Sequence, residues 1–159
     1  MSGMNTKRPN RNTRMMNSVK QIVNLLVPWI NHLELNSRNV GVQLSSSQVE
    51  DARAVGVMQP EEIRVVLVDD IPSPEHPALE DITNQMQFHT AQASGLTARY
   101  GVYITEDSSR PILLHEFVHV SQYESFESVH DFLEAYIEEI VKHGYYDNSF
   151  EREARRLKR

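Results

Sequence analysis

The chain contains no cysteine among its 159 residues. Disulfide bonds and thiolate metal sites are therefore excluded, and any metal site has to use histidine, aspartate or glutamate. The absence of cysteine is compatible with a reducing compartment, and we expect a cytoplasmic protein. No apolar run approaches the roughly 20 residues that a transmembrane helix needs, so we expect no membrane partner.

Acidic side chains are missing from one end of the chain. Residues 1–20 carry five basic side chains and no acid, whereas residues 21–150 carry 6 basic and 20 acidic side chains. Because nucleic-acid binding needs a basic face, we do not expect nucleic acid as the main partner. Residues 1–16 lack an apolar period and predict a disordered basic arm, and residues 17–159 have the length of a single domain.

The apolar residues follow helical spacing in some segments and strand spacing in others, which predicts an α+β fold. Helical spacing runs from Val19 to Leu33, where Pro28 is expected to kink or divide the helix. Further elements are predicted from local signals: a helix capped at Ser47, a central strand over 63–68, a helix over 77–87, a strand over 97–105, and C-terminal helices starting near Pro111, Ser128 and Asn148.

The segment Leu113–Val120 contains the pattern His-Glu-x-x-His within an otherwise apolar stretch. Residues four apart lie on one face of a helix, so His115 and His119 point the same way and can bind one zinc ion. Glu116 lies between them and can act as the general base toward a water on the metal. Leaving such groups unpaired in a buried helix would cost several kcal/mol, although two hydrogen-bonded core histidines remain an alternative interpretation.

A catalytic zinc site needs a third protein ligand, and the start of the last predicted helix offers two glutamates. Glu151 and Glu153 are both candidates. A glutamate at position 151 also has structural explanations. The helix dipole favours an acid in the first helical turn, and such an acid can complete a capping box with Asn148.

From about Thr97 to its C-terminus, the chain resembles the gluzincin class of zinc metallopeptidases, especially the minimal ones. In that class a glutamate on a second helix is followed three positions later by a small residue, and Glu151 with Ala154 fits this register. The resemblance implies a zincin-like core in which a small mixed sheet supports an active-site helix and a glutamate helix. It also implies one Zn²⁺ ion held by His115, His119 and Glu151, with Glu116 as the catalytic base.

The resemblance implies further site residues and a peptide or protein substrate. The strand Gly101–Thr105 is similar to the edge strand that pairs with an extended substrate, which makes Gly101, Val102, Tyr103 and Ile104 the expected substrate contacts. A second donor to the oxyanion is expected from one of four side chains, chosen by their position: Tyr136, His143, Tyr145 and Tyr146.

Two departures from the family pattern open an alternative function. The aspartate that often follows the small residue, and that braces a ligand histidine, is Arg155 here. Only eight residues follow Glu151, so we expect no large C-terminal subdomain of the thermolysin type. The alternatives to an active peptidase are a catalytically weak or inactive zincin-derived metal-binding or interaction module, and an α+β scaffold without metal.

Overall fold

The computed structural model describes residues 11–79, 94–106 and 108–157, with side chains from residue 18 onward. Within these ranges the protein is a mixed α+β structure, as the sequence predicts. The helices are α1 (Arg11–Val40), α2 (Ser46–Ala54), α3 (Arg110–Glu124), α4 (Val129–His143) and α5 (Ser149–Leu157). The strands are β1 (Val42–Gln43), β2 (Arg64–Val68), β3 (Gly95–Ala98) and β4 (Gly101–Thr105), and a 3-10 turn covers Pro60–Glu62.

The described strands form one mixed sheet in the order β1-β2-β4-β3. β2 and β4 are parallel, whereas β1 pairs antiparallel with β2 and β3 pairs antiparallel with β4. The prediction of one strand over 97–105 is therefore wrong, because the chain reverses at Arg99 and Tyr100 to form a hairpin. As a consequence β4 is an interior strand, and β3 lies at the edge of the sheet among the described strands.

The sheet separates two hydrophobic clusters because alternate side chains of β4 point to opposite faces. Tyr103 belongs to the cluster that packs against α1 and α4. Val102 and Ile104 belong to the cluster that packs against α2 and α3. Covering both faces buries β4 almost completely, and it places α3 directly on the sheet.

Helix α1 is longer than the sequence predicts. It begins at Arg11, so residues 11–16, which we expected to belong to a disordered arm, are helical, and residues 1–10 lie outside the described residues. Pro28 lies inside the helix and does not divide it. An interior proline costs about 3 kcal/mol, but buried apolar residues continue on both sides of it, including Val23 and Ile30, and their packing offsets that cost.

The helix ends follow most of the local signals. Ser128 caps α4 by accepting a hydrogen bond from the Asp131 amide, and α4 ends before Gly144. α2 is capped by Ser45 rather than by the predicted Ser47. A helical turn starts at position 77 as predicted, but most of the predicted helix over 77–87 lies outside the described residues. None of the described helices combines the length and the apolar character that crossing a membrane requires.

Candidate metal centre

Helix α3 separates an apolar face from a polar face by the spacing of its residues. Pro111 lies in its first turn, and the side chains that follow on one face are buried against the sheet and α2: Leu113, Leu114, Phe117 and Val120. His115, His119 and Gln122 are four and three residues apart, so they form a row on a different face. α5 packs against α3 and provides the partners of that row.

Helix α5 brings a carboxylate to this row. The side chain of Asn148 accepts a hydrogen bond from the Phe150 amide at 2.8 Å, which confirms the predicted cap at the start of the helix. Glu151 and Ala154 are the buried residues of α5, at 3% and 0% exposure. Because alanine is small, the backbone of α5 can lie close to its neighbours, and the Glu151 side chain then reaches the histidines.

The three predicted ligands converge. The Nε2 atom of His115 lies 3.0 Å from Oε2 of Glu151, and Nε2 of His119 lies 3.1 Å from Oε1 of the same carboxylate. The two imidazole Nε2 atoms are 3.2 Å apart. All three ligand atoms lie within 4.8 Å of one another, so the cluster is able to hold a metal ion. His115 is its most exposed member, with 20% of its side chain accessible, and it connects the cluster to solvent.

The structure also separates the two candidate glutamates. Glu153 does not take part in the cluster, and its carboxylate accepts a hydrogen bond from Nε2 of Gln122 at 3.1 Å. Glu151 is the residue whose carboxylate contacts both imidazoles. Of the two candidates, Glu151 is therefore the one whose position suits a metal ligand.

The charges of the cluster suit a bound cation. Burial alone would raise the pKa of Glu151, but the adjacent imidazoles outweigh burial and hold that pKa well below its ordinary value. Burial alone would lower the pKa of His119, but the Glu151 carboxylate outweighs it and raises that pKa to about 9. The His119 imidazole and the Glu151 carboxylate thus hold a proton between them. A metal ion can take the place of this proton, because metal binding releases protons from its ligands. Two imidazoles and one carboxylate are a donor set that zinc commonly uses.

Glu116 lies beside the cluster but outside it. Its side chain is directed toward β3, where the Thr97 hydroxyl donates to the Glu116 carbonyl oxygen at 3.1 Å and contacts its carboxylate at 3.4 Å. At Gly95, an added Cβ would lie 2.8 Å from Cγ of Glu116 and 2.9 Å from its Cδ, so only glycine leaves room for this side chain. Burial raises the pKa of Glu116, and the positive charges of His119 and His115 partly offset that rise. A carboxylate with a raised pKa is suited to take and release a proton near neutral pH.

Two of the four predicted oxyanion donors lie next to the ligand carboxylate instead. The Tyr136 hydroxyl donates to Oε1 of Glu151 at 2.8 Å. The pKa of Tyr145 is raised, first by burial and then by the negative charge of Glu151. Tyr136 thus contacts the carboxylate of the candidate ligand Glu151, and this hydrogen bond engages its hydroxyl.

The other two predicted donors lie on the surface. His143 is more than half exposed and pairs with Glu139 at 3.4 Å. Tyr146 is 70% exposed, and the Arg155 guanidinium lies 4.0 Å from the centre of its ring. Their partners are Glu139 on α4 and Arg155 on α5 rather than the histidines. The role of either residue as an oxyanion donor stays a prediction.

The prediction that Gly101–Thr105 lies at the edge of the sheet is wrong. β4 has neighbours on both sides, so its main-chain groups are already paired with β2 and β3. The Tyr103 hydroxyl donates to the Leu33 carbonyl at 2.7 Å on α1. The remaining predicted contacts are enclosed as well: Gly101 packs against Ser37, and Val102 and Ile104 lie in the core. None of Gly101, Val102, Tyr103 and Ile104 is available to an incoming peptide.

Sequence reasoning overlooked three residues of the centre. Gln122 follows His119 by three positions, and this helical spacing alone could have placed it beside the ligand. Gly95 and Thr97 meet Glu116 only through the tertiary fold, and no local pattern indicates them.

No protein-family model matches the chain, and comparisons with curated proteins and with solved structures found no match.

Proposed function

We propose that this protein is a zinc-dependent metallopeptidase with a zincin-like site, in which His115, His119 and Glu151 hold one Zn²⁺ ion. The observation that carries the proposal is the position of Glu116. A buried carboxylate next to the three converging ligands, yet outside them, has no use in a purely structural site. In a hydrolase it is the base that the reaction needs.

In the proposed reaction the residues of the chain move protons and hold charges. A zinc ion bound by the three ligands would lower the pKa of a water molecule and polarise the scissile carbonyl. Glu116 takes the proton from the attacking water and later delivers it to the leaving amine. Tyr136 keeps the Glu151 carboxylate in place through this cycle, since its hydroxyl is bonded to that carboxylate.

The substrate in this proposal is an extended peptide that pairs with β3. β3 is the edge strand among those described, and its residues Gly95 and Thr97 lie against Glu116. A peptide added along this edge by main-chain hydrogen bonds would therefore run past the general base. Because such bonds use the backbone of the peptide, they impose little sequence preference.

One observation favours a second candidate function, a metal-binding module of the same origin with weak or no turnover. Of the four side chains predicted to stabilise an oxyanion, Tyr136 is bonded to Glu151 and two lie on the surface. Loss of a single oxyanion donor costs roughly 10²- to 10³-fold in kcat in a well-studied hydrolase, so a site without one would turn over slowly.

Replacing Glu116 by glutamine separates these functions. The substitution keeps the size of the side chain and removes the base. We expect the zinc-loaded variant to keep one zinc per chain and to lose peptide hydrolysis by roughly 10²- to 10⁴-fold. The measurement is mass spectrometry of a mixed peptide library after incubation with zinc-loaded protein, together with metal analysis of the same sample.

The matched control is Glu138→Gln, which makes the same chemical change at an exposed position of α4. It should leave both zinc content and hydrolysis unchanged. Cleavage by the Glu116→Gln variant at the wild-type rate would refute the proposed mechanism. A wild-type protein that binds zinc but cleaves no peptide of the library would favour the metal-binding module.

A further inference from the structure

Gln122 connects a proposed zinc ligand to the helix that carries another one. It is 5% exposed, and Oε1 of its amide lies 2.8 Å from Nδ1 of His119. We infer that Gln122 is a positioning residue that fixes the tautomer of His119 and ties α3 to the start of α5. This inference rests on the proposed metal site and deepens it, because it names the group that replaces the missing aspartate.

The hydrogen bonds of Gln122 leave its amide a single orientation. The NH₂ group donates to the Phe150 carbonyl at 3.0 Å and to the Glu153 carboxylate at 3.1 Å. Neither group can donate a hydrogen bond in return, because a carbonyl and an ionised carboxylate only accept. A flipped amide would place its oxygen against two acceptors, so the oxygen must face His119.

The orientation of the amide determines where His119 carries its proton. An amide oxygen accepts hydrogen bonds only, so Nδ1 of His119 must be the donor in this contact. In the neutral imidazole the other nitrogen is then unprotonated. That nitrogen is Nε2, which faces Nε2 of His115 and the carboxylate of Glu151. Once a metal ion has displaced the proton that faces Glu151, Gln122 thus leaves the lone pair of His119 Nε2 directed to the centre of the cluster.

The same side chain fixes the distance between the ligands. Phe150 immediately precedes Glu151, so the bond from Gln122 to the Phe150 carbonyl holds the first turn of α5 against α3. Arg155, which stands at the position of the expected aspartate, instead bonds to the carbonyl of Tyr146 and lies over its ring. In the family pattern an aspartate on the glutamate helix braces a ligand histidine. Here the bracing group is Gln122, which lies on α3 three residues after His119.

The first test replaces Gln122 by methionine, which has a similar length and can neither accept from His119 nor donate to α5. We expect the zinc affinity to fall by roughly 10- to 100-fold, which is the range for losing a partner of a metal ligand. The control Gln21→Met makes the same change at an exposed position of α1 and should bind zinc as the wild type does.

The second test measures the tautomer directly in the metal-free protein. Nitrogen-15 spectra of the histidine rings are recorded over a pH series, and they show which ring nitrogens of His119 carry a proton. We expect Nδ1 of the wild type to keep its proton throughout the series, and Nδ1 of the Gln122→Met variant to lose it in part of the molecules. A role of Gln122 in packing alone would not change this signal.

The third test is a rescue that reverses the polarity of one contact. In the double variant Gln122→Glu with Glu153→Gln, residue 122 still accepts from His119 and residue 153 supplies an amide donor. We expect the double variant to recover part of the zinc affinity that Gln122→Glu alone loses, because Glu153→Gln removes the repulsion between the two carboxylates. The Phe150 carbonyl still lacks its donor in the double variant, so the recovery should be incomplete.

The outcomes distinguish this inference from the proposed function. Zinc binding without peptide cleavage would refute the peptidase and leave the role of Gln122 intact. Unchanged zinc affinity in Gln122→Met, or an Nε2–H tautomer of His119 in the wild type, would overturn the inference. The tautomer measurement needs no metal, so it gives a result even for a protein that binds no zinc.

Discussion

The two sides of α3 hold their charged groups in different ways. On the side facing α5, His115 and His119 lie about 3 Å from the Glu151 carboxylate, and Tyr136 and Gln122 brace the carboxylate and one imidazole. On the side facing β3, the contact of the Glu116 carboxylate with the Thr97 hydroxyl is 3.4 Å long. A single turn of α3 thus carries two imidazoles that lie against a braced carboxylate and one carboxylate, that of Glu116, whose contact with a hydroxyl is longer.

The pKa values follow the same division. The histidines hold the pKa of Glu151 well below its ordinary value even though burial opposes them, so this carboxylate keeps its charge. Burial raises the pKa of Glu116, so this carboxylate favours taking up a proton. Two glutamates close together are therefore suited to different tasks, one to hold a cation and the other to transfer protons.

The largest expected effect comes from removing a ligand on the braced side. His115→Ala should lose stoichiometric zinc, because two remaining ligands do not complete a zinc site. Zinc at about 100 times its Kd should stabilise the wild type by about 2.7 kcal/mol, and this stabilisation should disappear in the variant. Metal analysis and thermal melting with and without zinc provide the measurement.

The control for this substitution is His143→Ala, which removes an exposed histidine that pairs with Glu139. It should keep one zinc per chain and the full stabilisation by zinc. If His115→Ala still bound one zinc with wild-type affinity, the side of α3 that faces α5 would not be the metal site. The assignment of metal binding to this side and of proton transfer to the other would then be wrong.

The next largest effect is expected on the side of the base. Gly95→Ala would place a methyl group within 3 Å of Cγ and Cδ of Glu116, so the carboxylate has to move. We expect hydrolysis to fall by about 10²-fold while zinc is retained, since small misplacements of a reacting group have effects of that size. Stability should fall by about 1–3 kcal/mol because the site becomes overpacked.

A side chain without Cγ and Cδ at position 116 tests the cause of this effect. Combining Gly95→Ala with Glu116→Ala removes the two atoms that the new methyl group would meet, so the two losses of stability should not add. We expect a coupling of about 0.5–3 kcal/mol in urea denaturation of the two single variants and the double variant. Strictly additive losses would mean that Gly95 does not determine the position of Glu116.

The smallest of these effects is expected at Tyr136. Tyr136→Phe removes the hydroxyl that donates to Glu151 and keeps the ring in its packing. We expect zinc affinity to fall by roughly 10- to 100-fold, measured by competition with a chelating dye. Tyr146→Phe, on an exposed ring, should have no effect. Equal affinities of the two variants would show that Tyr136 does not brace the ligand.

The candidate ligands on the side of α3 that faces α5 could be predicted from the sequence, because the spacing of these residues along the chain is local. His115 and His119 share a helix face by their separation of four, and the predicted cap at Asn148 placed Glu151 in the first turn of a helix. The choice between Glu151 and Glu153 needed the register of a resembling family. The structure agrees with that choice because the other glutamate is bonded to Gln122.

The contacts of Glu116 on the side of α3 that faces β3 could not be predicted, because they depend on a turn with no local signal. The hairpin reverses at Arg99, which adopts a positive φ of 55° without being glycine, asparagine or aspartate. Alternating residues across this turn resemble a single strand, so β3 and its contacts with Glu116 were overlooked. The sheet order then placed β4 inside the sheet rather than at its edge, which no pattern of one strand can reveal.

The most direct test of the central claim is the location of the metal in crystals of the zinc-loaded protein, determined by anomalous scattering at the zinc absorption edge. The proposed site predicts one strong peak about 2.0–2.2 Å from Nε2 of His115, Nε2 of His119 and the Glu151 carboxylate, with Glu116 outside the coordination sphere. The absence of a peak between these three side chains, or a peak bound instead by Glu153 or His143, would contradict it.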